Sequence, residues 1–138
     1  MATVFTVGYE GRTPADLVRR LREAGVTRVV DVRASARSPR PGFSRAPLGR
    51  ALEAAGIAYR HLPEVGNPFH AEAAADLAGV LARYREHLAA HPEAEAALAT
   101  AVADAPTALL CAEANPRRCH RSVLAERLAA SGATVVHL

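Results

Sequence analysis

Short runs of β-branched and apolar residues alternate along the chain with longer amphipathic stretches. That alternation leaves little choice of fold: it fits a mostly parallel sheet of about five strands with helices packed on both faces. Thr3–Gly8 reads as the first strand, and Thr13-Pro14 supplies a cap and first-turn proline for a helix. Leu17, Val18, Leu21 and Ala24 form the stripe of that helix, and Gly25 ends it. A strand over residues 27–32, a helix over 44–55 closed by Gly56 and a strand over 57–62 come next. Leu77, Val80, Leu81, Tyr84 and Leu88 then predict a core-facing helix over 71–90. A second helix is expected over 92–103. Thr107–Cys111 is a short, wholly apolar run that suits a central strand. Asn115-Pro116 should cap a last helix over 116–130, and residues 134–138 close the sheet. No repeat or linker interrupts this order, so the reading is a single three-layer α/β domain over 1–138.

Composition narrows the functional classes. Half of the residues are apolar and 22% are charged, the balance of a folded chain rather than a disordered one. No apolar run approaches the roughly 20 residues that cross a bilayer, and the N-terminus lacks the pattern of an export signal. The expectation is a cytoplasmic protein without a membrane partner. The two cysteines are then free thiols rather than a structural disulfide. The net charge of +3 rests entirely on arginine, because lysine is absent. Such a charge favours anionic partners only weakly. Arg33, Arg37, Arg40 and Arg45 leave a nucleic-acid or protein-binding module as one alternative. Oligomeric state is not legible.

In parallel α/β sheets, ligands sit beyond the carboxyl ends of the strands. Three loops qualify by that rule: 9–12 after the first strand, 31–40 after the second and 111–121 after the fourth. They hold Tyr9, Asp31, Arg33, Ser38, Arg40, Cys111, Glu113, Arg117, Cys119, His120 and Arg121. Arg117, Arg118 and Arg121 fall in the first turns of the expected last helix, where the macrodipole disfavours cations. Something negative should lie nearby, either a carboxylate such as Glu113 or Asp31, or a small bound anion. In the favoured reading, Arg33, Arg117 and Arg121 hold a phosphate-like or carboxylate group. Asp31 and Glu113 orient them, and His120 serves as acid or base.

A rival reading uses the thiols. Cys119 lies beside Arg118, His120 and Arg121, a setting that lowers a thiol pKa, and Cys111 with Arg117 spells Cys-x5-Arg at a strand-to-helix loop. Cys111 or Cys119 would then serve a transferase or phosphatase. Cys-x7-Cys-His is not a usual zinc spacing, so neither metal nor cofactor is expected. The plainest alternative is that the whole cluster is a buried polar network that specifies the fold.

Taken together, Thr6-Val-Gly8, Val30-Asp-Val-Arg33 with Ser38-Pro-Arg40, Gly56-Ile-Ala-Tyr59, Leu62-Pro-Glu-Val-Gly66, Cys111-Ala-Glu113, Pro116 and Cys119-His-Arg121 resemble the family catalogued as domain of unknown function 488. The resemblance runs nearly end to end. It implies an α/β fold and a shared polar site drawn from Gly8, Asp31, Arg33, Cys111, Glu113, Pro116, Cys119, His120 and Arg121, and it implies no particular activity. Val30-Asp-Val-Arg33 and the strand-terminal cysteine also resemble rhodanese-type sulfurtransferases at the level of fold.

Overall fold

The computed structural model describes residues 3–138. Five strands, β1 (Thr3–Gly8), β2 (Arg28–Asp31), β3 (Ala58–His61), β4 (Thr107–Cys111) and β5 (Thr134–His137), form one sheet in the order β3-β2-β4-β1-β5. Every pairing is parallel. Burial follows position in the sheet. The central strand β4 is buried at all five residues, whereas the edge strands β3 and β5 have no buried residue. The apolar run of β4 is what a strand covered on both faces requires.

Helices α1 (Pro14–Glu23) and α2 (Arg45–Ala54) cover one face. Their residues Leu17, Leu21, Leu48 and Leu52 pack with Val7, Val29, Ala108 and Leu110 of the sheet. Helices α3 (Leu77–Ala89), α4 (Pro92–Val102) and α5 (Arg121–Ala130) cover the other. Tyr84, Leu88, Leu98, Leu124 and Leu128 meet Val4, Val30, Leu109 and Cys111 there. The period-two alternation of β4 thus sends Ala108 and Leu110 to one layer and Leu109 and Cys111 to the other. Each fully buried leucine contributes about 2 kcal/mol of hydrophobic stabilisation, so the two layers carry most of the fold.

Helix α1 starts at a capping box. The Thr13 hydroxyl accepts from the Asp16 backbone N–H at 3.1 Å, and the Asp16 carboxylate accepts from the Thr13 N–H at 3.3 Å. Thr13→Ala is expected to cost about 1 kcal/mol, read as a shift in the urea midpoint with an unchanged slope.

Two helices begin later than their sequence patterns predict. The long amphipathic stretch forms a 3₁₀ turn at His70–Glu72, and α3 starts only at Leu77. Asp76 explains the delay: its carboxylate caps the Gly79 N–H at 3.0 Å, and Ala73, Ala74 and Ala75 offer little side chain to bury. The last helix does not start at Pro116. Pro116–Arg118 form a 3₁₀ turn, Cys119 is extended with φ −130° and ψ 145°, and α5 begins at Arg121. That extended residue turns the thiol inward. It also removes Arg117 and Arg118 from the helix and leaves them exposed on the turn, so only Arg121 stands at the helix start.

Candidate functional site

Successive strands run toward one edge of the sheet from β1 to β3 and back toward the other edge from β3 to β5. The connections after β1 and β2 run to the face of α1 and α2, and those after β3 and β4 run to the opposite face. Loops therefore diverge above β2, β4 and β1, the place where such sheets open a crevice. A cleft of about 320 Å³ lies there, and its walls include Tyr9, Arg33, Arg37, Asn67, Cys111 and His120.

One wall is an ion-pair assembly. Asp31 ends β2 with no exposed surface, and its Oδ1 accepts from Arg33 Nε at 2.8 Å and from the Arg33 backbone N–H at 3.2 Å. Its Oδ2 accepts from Arg33 Nη2 at 2.6 Å and from the Tyr59 hydroxyl at 2.5 Å. Arg33 Nη1 donates to the Phe43 carbonyl at 2.7 Å and to the Tyr9 hydroxyl at 3.4 Å. Tyr9 in turn stacks on Phe43 with ring centroids 4.5 Å apart. Burial pulls the Arg33 guanidinium down, but the Asp31 carboxylate outweighs it and holds the group above the ordinary arginine range. Burial, reinforced by the bond to Asp31, pushes the Tyr59 hydroxyl up. Arg33 is committed to the protein on most of its donors.

The other wall is built on sulfur. Cys111 ends β4, Cys119 precedes α5, both are buried free thiols, and their sulfurs and a ring nitrogen of His120 lie within 4.8 Å of one another. His120 Nε2 is 2.8 Å from the Val32 carbonyl, which can only accept, so Nε2 carries hydrogen. Nδ1 then faces Cys119 Sγ at 3.6 Å and is free to hold or take its proton. The Tyr84 ring fixes the imidazole edge-on at 5.2 Å, and its hydroxyl is tied to the Val65 carbonyl at 2.5 Å.

The two sulfurs titrate apart. A hydrogen bond from Cys111 lowers the Cys119 thiol most; burial opposes this, and His120 and the Arg121 backbone N–H at the start of α5 support it. The same bond, together with burial, raises Cys111. One thiolate shared by a pair is the consequence.

Arg121 sits behind this centre with no exposed surface. Its Nη1 donates to the Glu113 carbonyl at 2.5 Å and its Nη2 to the Ala114 carbonyl at 3.1 Å, while its Nε has no partner. No carboxylate pairs with it among the described residues, so backbone carbonyls stand where a negative partner was expected at this helix start.

Of the residues singled out from the sequence, Tyr9, Arg33, Cys111 and His120 line the cleft, with Asp31 behind Arg33 and Cys119 behind Cys111. The others lie elsewhere. Arg40 braces two loops through the carbonyls of Tyr9 and Arg12, and Ser38 shapes the 31–44 loop by bonding Ser44 and the Arg40 N–H. Arg117 is exposed on its turn, and the Glu113 side chain faces a separate hollow beside Arg118. Gly8 contacts the loop backbone rather than the cleft. Ser35, Asn67 and His70 also line the cleft without having been singled out from the sequence. Asn67 and His70 belong to the loop after β3, and the strand-end rule would have reached them if applied to that strand as well.

The fold and this centre define an open, all-parallel α/β protein with a cysteine–cysteine–histidine cluster at the carboxyl end of its sheet. Residues 13–128 match the model of the family described as Domain of unknown function DUF488, and the chain belongs to that family. No curated protein and no solved structure matches the chain. Among the described residues, no helix is long and apolar enough to cross a membrane.

Proposed function

We propose that this chain is a thiol-dependent enzyme acting on a small anionic substrate, with Cys111 as nucleophile and the Cys119–His120 pair as its base. The observation that carries the reading is the composition of the centre. Cys111 and His120 both open on the cleft, His120 with its tautomer set by Val32, and Cys119 lies out of the cleft with its sulfur within 4.8 Å of both. As Cys111 attacks, its proton passes to the neighbouring Cys119 sulfur, within 4.8 Å of it. An anion is favoured by the free cationic wall. Arg37 makes no ion pair or hydrogen bond among the described residues, and Asn67 uses only Oδ1, for the Phe69 N–H at 2.9 Å, which leaves its amide NH₂ open. Arg33 positions the wall through Asp31 rather than clamping the anion outright.

Iodoacetate, itself a small anion, provides the test. Because the pair holds one thiolate well below the ordinary thiol pKa of about 8.5, carboxymethylation at Cys111 is expected at a nearly constant rate through neutral pH. In Cys119→Ser the remaining thiol is buried and has lost its base. Its rate at neutral pH should fall at least about tenfold, and the pH profile should move up to about 8.5 or beyond. Mass spectrometry of the modified peptide reads both. A wild-type profile that rises only near pH 8.5, or one that Cys119→Ser leaves in place, would overturn the reading.

A further inference from the structure

We propose that Cys119 is also the resolving thiol of a two-electron dithiol–disulfide couple, and that the cleft takes small anionic disulfides. This rests on Cys111 being the nucleophile and goes beyond it by naming the reaction and the substrate class. A single nucleophilic cysteine needs only a base, and His120 could serve it directly. Here a second thiol joins nucleophile and histidine, with the two sulfurs and a ring nitrogen all within 4.8 Å of one another. Any adduct that links Cys111 to a substrate through sulfur is then exposed to attack from Cys119. Cys119 is extended and lies outside any helix, so its side chain is not locked by a helical turn.

The balance is as follows. Cys111 Sγ attacks one sulfur of the substrate, the substrate S–S bond breaks, and the first thiolate leaves as the Cys111 proton passes to Cys119. Cys119 Sγ then attacks Cys111 Sγ, the mixed disulfide breaks, and the second thiolate leaves. The two protons initially held by Cys111 and by the Cys119–His120 pair end on the two released thiols. The protein becomes a Cys111–Cys119 disulfide, and the substrate has gained two electrons.

Exchange with a buried pair is fastest when the departing thiol is weakly basic, so an aromatic disulfide is the substrate of choice for testing the couple.

The probe is 5,5′-dithiobis(2-nitrobenzoate), a dianionic aromatic disulfide with a coloured leaving thiolate, with neutral 2,2′-dithiodipyridine for comparison. The full chain is used at about pH 9, where a lone thiol also ionises. Wild type is expected to release two equivalents of thionitrobenzoate and end as a protein two hydrogens lighter. Cys119→Ser and Cys119→Ala should each release one and retain one aryl group on Cys111, and Cys111→Ser should release at most a slow equivalent. Far-UV circular dichroism and urea midpoints establish that each variant is folded, and the two Cys119 variants guard against a failure of either. At neutral pH the anionic probe should outpace the neutral one.

If wild type stops at a persistent mixed disulfide on Cys111, the redox couple is overturned and the nucleophile reading stands. If neither wild type nor the Cys119 variants react, both fall. A tightly held metal ion that blocks both thiols until a chelator removes it would likewise overturn both, since Cys111, Cys119 and His120 would then be ligands.

Discussion

Asp31→Ala is expected to destabilise the protein by about 3–5 kcal/mol. The substitution removes the only carboxylate that Arg33 meets among the described residues while the guanidinium stays 6% exposed. It also strips the acceptor from the Tyr59 hydroxyl and from the Arg33 backbone N–H. An uncompensated buried cation costs far more than the pair was worth, so the loss should reach a large fraction of the 5–15 kcal/mol that small domains possess. Urea unfolding gives the value directly. The double substitution Asp31→Leu with Arg33→Met separates this cause from lost packing, because removing both charges should recover most of the stability lost to Asp31→Ala alone. A single-variant cost under about 1 kcal/mol would show that Arg33 finds solvent or another acceptor, and would remove the basis for treating it as a fixed wall of the cleft.

Gly8→Ala is expected to cost about 3 kcal/mol and to lower the melting temperature by about 10 °C. Gly8 ends β1 where the 111–115 loop passes over it. A β-carbon there would sit 1.8 Å from the Glu113 carbonyl oxygen, 2.5 Å from its carbon and 2.9 Å from the Ala114 Cα. These atoms are backbone, and the loop is pinned from the far side by Arg121 on the Glu113 and Ala114 carbonyls, so it cannot give way cheaply. The required shift would also move Cys111, two residues before Glu113, and iodoacetate reactivity should fall with stability. Gly11→Ala is the comparison. Gly11 has φ +79° with open space around it, so only backbone strain opposes the substitution, at about 1 kcal/mol. Equal costs at the two positions would mean that the close approach at Gly8 is not a constraint on the loop.

At Gly8 the sequence pattern and the structure part. Its place in the Thr6-Val-Gly8 motif suggests a ligand contact, yet the glycine is needed because two stretches of backbone pass too close for a side chain. Arg121 gives a parallel case. Its position at a helix start implies a negative partner, and helical spacing puts it above Leu124 and Leu128. The partners are the backbone carbonyls of Glu113 and Ala114 rather than the Glu113 carboxylate, whose side chain points to another hollow. Arg117 is misplaced by one assumption, that Pro116 opens an α-helix. The extended backbone at Cys119 breaks that helix and carries Arg117 to the surface.

The sequence alone determined the layered architecture, the central position of β4 and the gathering of cysteine, histidine and arginine residues in the loops at the carboxyl strand ends. Those features rest on local periodicity, capping residues and burial, which neighbouring residues encode. Tertiary structure decided the rest. The order β3-β2-β4-β1-β5, the joining of Arg33 and Tyr9 to Cys111 across three strands, and the approach of Cys119 to Cys111 depend on which loops diverge where the order of strand addition reverses. The ionisation of the sulfur pair depends on distance and burial between groups from separate elements. No local pattern carries that information, because electrostatic coupling is set by separation in space rather than along the chain.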